Sequence, residues 1–474
     1  MLSTQQPNKL RNYLKLLALA LGASQAFGCA SVIKSTTAQT PTTPVPQEIV
    51  QATEVRALPG KLDSTPVFNS NSPEWIKNEG ILLSTFPANG KKTPAAHLNF
   101  PFQGSFDLFA HHYTHTPKDL QTLYIGVMLN NPGNKPVTVD VLQAASYVMT
   151  EAPFVTLPPY VENNEGKTFS GPGARAVADV LRGVRQKDFP AKLVIPAKQS
   201  RMLLNHPIQV RGLEKPVNGR SSFIRLRSSG KVYAASLAMF AKKNIDNSDR
   251  TPSLKEWQDL LNTGNFAGPR DKTPTPENAT GGKLIYGRVA GVSQGSRWQA
   301  TLTDNPKNKI LTIPKSGQGI SYALATLRGG RLGTEQNQTA KLLVRYPDTA
   351  YEAHGNYTVE YNLNFPLSNN TKEAKTVTVT LETPIKEDKL SQKGLRFRKP
   401  SLDFPYFRGT VRLRYIDEQG KRVSRYVHLW HRTGQILEPI AQFVIPGNTQ
   451  RQVQVDLIYP PDSTPPHVVT LKTR

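Results

Sequence analysis

Leu123-Tyr124-Ile125-Gly126-Val127 runs into Asn130-Asn131-Pro132-Gly133-Asn134-Lys135-Pro136, and Val137-Thr138-Val139-Asp140-Val141 follows. The last of these alternates apolar and polar residues and is rich in β-branched side chains, the pattern of a strand with one buried face. Asn, Pro and Gly between two apolar runs mark a turn. The stretch therefore predicts a β-hairpin.

The same plan recurs outward from it. Residues 222–226 and 232–239 flank Ser228-Ser229-Gly230-Lys231. Residues 357–365 and 376–381 flank Ser368-Asn369-Asn370, and residues 411–416 and 423–429 flank Asp417-Glu418-Gln419-Gly420. Residues 453–459 and 468–471 read as closing strands. Val194-Ile195-Pro196, Thr312-Ile313-Pro314 and Val444-Ile445-Pro446 each end an extended run, where a strand-edge proline is tolerated. This echo hints at related units. With 38 Pro and 33 Gly, the chain predicts a mainly β protein of two β-sandwich-like units with short helices in the connections.

The expected layout is a leader (1–29), a spacer (30–55), a β-rich domain (56–245), a connection (246–282) and a second β-rich domain (283–474). The connection holds a capping box, Ser253-Leu254-Lys255-Glu256, with Leu254, Trp257, Leu260 and Leu261 on one helical face. Residues 269–282 after it read as a loop. A second helix is expected from Pro172, suited to a first turn, to a C-terminal Gly183, with Ala174, Val177, Ala178 and Leu181 as its apolar stripe. Arg175 near its start could meet an anion or pair with Asp179 at i,i+4.

The amino terminus has the zones of an export signal. Lys9, Arg11 and Lys15 precede a short apolar run from Leu14 to Ala23, and no acid occurs before Glu48. That run is too short to span ~30 Å of hydrocarbon. Ser24-Gln25-Ala26 suits ordinary cleavage. Ala26-Phe27-Gly28-Cys29 is a degenerate lipobox, and Cys29 is the single cysteine of the chain. Soluble release and acylation of Cys29 both stay open; acylation would make the Thr/Pro-rich spacer a tether. No later apolar run reaches 18 residues, so any membrane attachment is expected through Cys29 alone.

The chain carries 59 Lys+Arg against 35 Asp+Glu, a formal charge of +24. That field attracts anions. Export disfavours nucleic acid and leaves anionic polysaccharide or outer-membrane phosphates and lipid headgroups. Residues 386–432 interleave cations and aromatics: Arg396, Arg398, Lys399, Tyr406, Arg408, Arg412, Arg414 and Arg432. Aromatic faces stack on sugars, and guanidinium groups pair with carboxylate or phosphate. Alternation sets Arg412 and Arg414 on one face. His97, Asp107, His111, His112 and His115 form a second constellation. Residues two or four apart on a strand share a face, so Asp107, His111 and His115 could hold a divalent ion such as zinc. Thr116-Pro117 argues that the strand ends there. Gly166-Lys167-Thr168 lacks the first glycine of a phosphate loop, since position 161 is Val. No G-x-S-x-G or H-E-x-x-H occurs, and no cofactor is expected.

Residues 55–63, Pro66-Val67-Phe68-Asn69-Ser70-Asn71-Ser72-Pro73, residues 79–84, and His97-Leu98-Asn99-Phe100-Pro101-Phe102-Gln103-Gly104 with residues 106–112 resemble a family of exported cyanobacterial proteins. That family is known only as a domain of unknown function. The resemblance runs from about residue 55 to the end. It implies a periplasmic or cell-envelope location and brings no catalytic residues. The functional expectation is a non-catalytic exported protein that binds or organises anionic surface material. The alternative is a metal-dependent or glycan-active hydrolase using the region 97–115.

Overall fold

Asn131 decides where the decisive stretch goes. Its carboxamide nitrogen donates to the carbonyls of Lys135 (2.7 Å), Ile195 (3.0 Å) and Pro196 (3.2 Å), and its oxygen accepts from the Gly133 N–H at 2.9 Å. The computed structural model describes residues 46–115 and 120–474. The leader, Cys29 and most of the spacer lie outside the described residues. Strands Leu123–Asn130 and Val137–Val148 are not a hairpin. The first pairs with Ser200–Ile208 and the second with Lys192–Ile195. They enter facing sheets, so Ile125, Val127 and Leu129 meet Val137, Val139 and Val141 across one core. Pinned to Ile195-Pro196, the turn becomes an arch from one sheet to the other.

Asn369 repeats the device. It donates to Glu373 (2.8 Å), Ile445 (2.8 Å) and Pro446 (3.2 Å), and accepts from the Thr371 N–H at 3.0 Å. Strands Glu360–Asn369 and Lys375–Glu382 therefore also form an arch, pairing with Thr449–Ile458 and Ala441–Ile445. The pair expected around residues 228–231 is one strand, Val217–Phe240. Its first part pairs with Phe102–His115 and its second with Leu123–Asn130, the register shifting between Ser228 and Val232. The bend carries it between sheets. Pro405–Ile416 and Arg422–Arg432 form the true hairpin that was expected, with Val411 opposite Val427.

The echo of Val-Ile-Pro reflects a shared plan. One sheet runs Lys192–Ile195, Val137–Val148, Val217–Phe240, Phe102–His115, Pro66–Ser70. Another runs Ala441–Ile445, Lys375–Glu382, His467–Thr473, Gly319–Leu324, Glu54–Arg56. In both, the first three junctions are antiparallel and the last is parallel. Thr312-Ile313-Pro314 differs: strand Leu311–Thr312 lies parallel on the edge of Glu360–Asn369. Each five-strand path faces a second sheet across its own apolar core, one centred on Phe102, Phe106 and Leu226, the other on Tyr361, Phe365 and Leu413.

The two sandwiches exchange strands. Ala290–Gln294 pairs with Pro66–Ser70 of the first, and Tyr160–Glu162 pairs with Arg422–Arg432 of the second. Residues 46–474 accordingly form one compact unit. Helix Leu254–Thr263 starts at the expected capping box and buries Trp257 and Leu261. Helix Pro172–Leu181 sits at the junction, its Val177, Val180 and Leu181 packing with Phe109 and Phe223 of the first sandwich and Ile458 of the second. Among the described residues no helix is long and apolar enough to cross a membrane.

Candidate functional site

The histidine constellation does not converge. On strand Phe102–His115, four residues span about 13 Å, so Asp107 and His111 face the same way but stand apart. Each takes local partners instead. His97 Nδ1 lies 2.8 Å from Ser84 Oγ, His111 Nδ1 lies 2.7 Å from Ser221 Oγ, and His112 bonds Ser70 Oγ and the Pro73 carbonyl. Burial lowers these imidazoles to about 4, 3 and 4 respectively, which keeps them neutral. Asp107 is buried 3.6 Å from Arg225 Nε. His115 ends the strand, as Thr116-Pro117 suggested; its side chain is outside the described residues. Among the described residues no His, Cys, Asp and Glu set is gathered to hold a metal.

Ser221, His111 and Glu74 stand in line, with His111 Nε2 3.9 Å from Glu74 Oε1. The order resembles a nucleophile relay, but Ser221 is 1% exposed in the middle of a sheet and offers no path to a substrate.

The basic tract is largely neutralised within the chain. Arg412 and Arg414 do share a face, but Asp456 on the neighbouring strand accepts from both, at 3.0 and 2.7 Å. Arg396 pairs with Glu48 (2.5 Å) and Glu387 (2.6 Å), and Arg432 with Asp403 (3.2 Å). Arg408 lies over the Phe154 ring, and Tyr406 is buried against the His467 ring. Arg398 sits in Leu395–Lys399, a strand paired with Gln47–Gln51, and Lys399 at its end is exposed. The residues do not form one continuous basic face.

Helix Pro172–Leu181 offers no anion site either. Asp462 already accepts from the Ala174 N–H at 2.8 Å. Arg175 stacks over Tyr147 and Phe169 and donates to the Glu151 carbonyl, while Asp179 accepts from the Tyr147 hydroxyl, so the i,i+4 pair is replaced by aromatic contacts.

A cleft of about 420 Å³ lies elsewhere. Loops of both sandwiches and the connecting segment bring Glu74, Lys272, Tyr286, Arg288, Tyr357 and Lys386 to its wall. A smaller neighbour of about 160 Å³ shares Tyr286 and His354 with it and adds Tyr351. Lys386 Nζ is 3.0 Å from the Tyr286 hydroxyl, and burial lowers its pKa. Neither Lys272 nor Lys386 has a carboxylate ion-pair partner among the described residues. Glu74 is bound to Arg288; burial raises its carboxyl pKa, Arg288 opposes that, and Asp271 adds to it. Asp271 accepts through one oxygen, Oδ2, from Ser72 Oγ at 2.7 Å and from the Glu74 N–H at 3.2 Å. His354 donates from Nε2 to the Gly287 carbonyl at 2.7 Å, and burial holds it neutral, at about 4. Lysines that form no salt bridge among the described residues, lining one cleft with tyrosines, suit an anionic, ring-bearing ligand.

Residues 53–473 match the family described as protein of unknown function (DUF3370). The chain belongs to that family. The match spans both sandwiches, from Glu54–Arg56 to His467–Thr473, so in this chain the DUF3370 region holds the whole two-sandwich plan and the cleft, and the resemblance expected from residue 55 onward holds. No curated protein matches the chain. Among solved structures, an 11S allergen from Cocos nucifera L. is similar at 10% identity over 78% of this chain and 82% of that one, with a TM-score of 0.11. The coconut allergen cocosin gives 9% identity over 79% and 83%, also with a TM-score of 0.11.

Sequence reasoning did not single out the cleft. Its residues are scattered from Glu74 to Pro465 in loops with no shared motif. One local signal existed: Asn69-Ser70-Asn71-Ser72 ends strand Pro66–Ser70 with consecutive polar residues, all four of them buried.

Proposed function

We propose that this is an exported cell-envelope protein that binds an anionic polysaccharide in the cleft lined by Lys272, Tyr286, Tyr357 and Lys386. One observation carries the reading: two lysines, neither in a salt bridge among the described residues, line with tyrosines a cleft large enough for a sugar unit, and one of them, Lys386, donates to the Tyr286 hydroxyl. The charge of +24 supports attraction of such a polymer from a distance. The leader supports export, and Cys29 would tether the chain if acylated; mass spectrometry of the mature amino terminus distinguishes a lipid-modified Cys29 from a start at Phe27.

The test is retention on immobilised polygalacturonate at low salt. Lys272→Met with Lys386→Met should release the protein, whereas Arg412→Met with Arg414→Met should not, because those guanidinium groups are held by Asp456. Loss only in the second pair would overturn the cleft reading. Hydrolysis is the weaker reading: Glu74 is a raised carboxyl in the cleft, but Arg288 holds it in a salt bridge. Release of reducing ends from polygalacturonate, abolished in Glu74→Gln, would reverse that order.

A further inference from the structure

A small recess adjoins the cleft. It shares Arg288, His354, Gly355 and Tyr357 with it, and Asn69 and Asn71 close its inner end. Both asparagines are 4% exposed, and the Oδ1 atom of each is buried with no hydrogen-bond partner among the described residues. Buried carboxamide oxygens are nearly always satisfied. Two unsatisfied acceptors, one in strand Pro66–Ser70 and one just past its end, both lining the same recess, imply something that donates to them. The recess holds about 10 Å³, room for a single oxygen and its proton.

We infer that this recess reads a hydroxyl of the ligand: Asn69 and Asn71 share the single proton of one hydroxyl, in a three-centre hydrogen bond, and the acidic group of that sugar unit meets the lysines of the cleft. The inference rests on the binding reading above and narrows it. Two acceptors require a donor. A phosphodiester group or an internal phosphate of a polyphosphate has none to offer at neutral pH, whereas an acidic sugar carries its anion and its hydroxyls on one ring. The ligand class is therefore a uronate-like glycan. The other occupant of the right size is a resident water.

Titration calorimetry on the full mature chain separates these. The probes are tetragalacturonate, which has charge and hydroxyls, inorganic polyphosphate of matched charge, and uncharged maltotetraose. The variants are Asn69→Leu and Asn71→Leu, near-isosteric changes that remove an unpartnered oxygen, and Asn71→Ala, which enlarges the recess instead of filling it. Thermal melting accompanies each, so a folding defect is recognised. Wild type should prefer tetragalacturonate to polyphosphate. Each Leu variant should lose about threefold in affinity for tetragalacturonate, the value of one arm of a shared hydrogen bond, with polyphosphate binding unchanged. Unchanged tetragalacturonate affinity in all three folded variants would mean that the recess holds only water. A Lys272→Met, Lys386→Met variant that keeps full affinity would sink the cleft reading itself. A wild type with no preference for tetragalacturonate over polyphosphate would sink both.

Discussion

Arg225 Nη1 of the first sandwich lies 2.8 Å from Glu360 Oε2 of the second, with both side chains almost wholly buried. Asp107 approaches the same guanidinium from the other side, and Arg297 approaches Glu360 at 3.6 Å. A carboxylate that looked like a metal ligand in the sequence is thus one member of a buried ionic group at the junction of the sandwiches. Such a group gives little net stability, but breaking it leaves an unpaired buried charge. Arg225→Met should lower unfolding stability by about 3–5 kcal/mol, measured by urea denaturation. A loss under about 1 kcal/mol would show that Asp107 and Glu360 find other partners.

The histidines predict an acid-sensitive fold. His97, His111, His112, His206, His354, His428, His431 and His467 are all lowered from 6.5, chiefly by burial, to values of about 3 to 4. Unfolded, they take up protons near 6.5. The unfolded chain therefore binds more protons between about pH 6.5 and 4, so stability is full above 6.5 and falls as the pH drops through that window. Asp462, raised to about 6 by burial, and Glu74, Asp107, Glu162, Asp179 and Glu382, also raised by burial, work in the opposite direction but are fewer than the eight histidines. Urea midpoints should decline steadily from pH 7 to pH 5. A flat profile would count against neutral burial of these imidazoles.

If the arches are equivalent, their asparagines should matter alike. Asn131→Ala removes the donor to Ile195 and Pro196, and Asn369→Ala removes the donor to Ile445 and Pro446. Each takes a donor from one buried isoleucine carbonyl, Ile195 or Ile445, a cost of about 1–3 kcal/mol. Similar shifts in thermal midpoint are expected for the two. Neutral behaviour of either would show that its arch is held by the turn alone.

Gly126 tests the docking of helix Leu254–Thr263. A Cβ built there would stand 2.7 Å from Trp257 Cε2, a ring fixed in the core. Gly126→Ala should therefore destabilise by about 1–3 kcal/mol through overpacking and shift tryptophan fluorescence as Trp257 is displaced. An unshifted spectrum with unchanged stability would mean that the helix can move away freely.

Much of the fold was legible because its signals are local. Alternation in residues 137–141 and 411–416 marked strands, Ser253 and Glu256 marked a helix start, and Gly183 with φ of 81° stands just past a helix end as expected. The site was less legible. Arg412 and Arg414 share a face as their spacing requires, but Asp456, distant in sequence, takes both charges. Glu74, Lys272 and Arg288 have no local pattern, and nothing in the tract that begins at Lys386 or the run that begins at Tyr357 joins them to one another.

By itself the sequence determined the class of this protein: strands from period-two alternation, two helices from capping and stripe, an export signal expected from an apolar leader, and membership of a family. These depend on neighbours along the chain. Tertiary structure alone decided the rest, beginning with residues 123–141. Alternation states which face of a strand is buried but not which strand lies beside it. Asn131, bonded to Ile195 and Pro196, sends the two arms into facing sheets, so a stretch that reads as a hairpin is an arch. The same distant contacts bring the loops of both sandwiches together, and that is what makes the cleft.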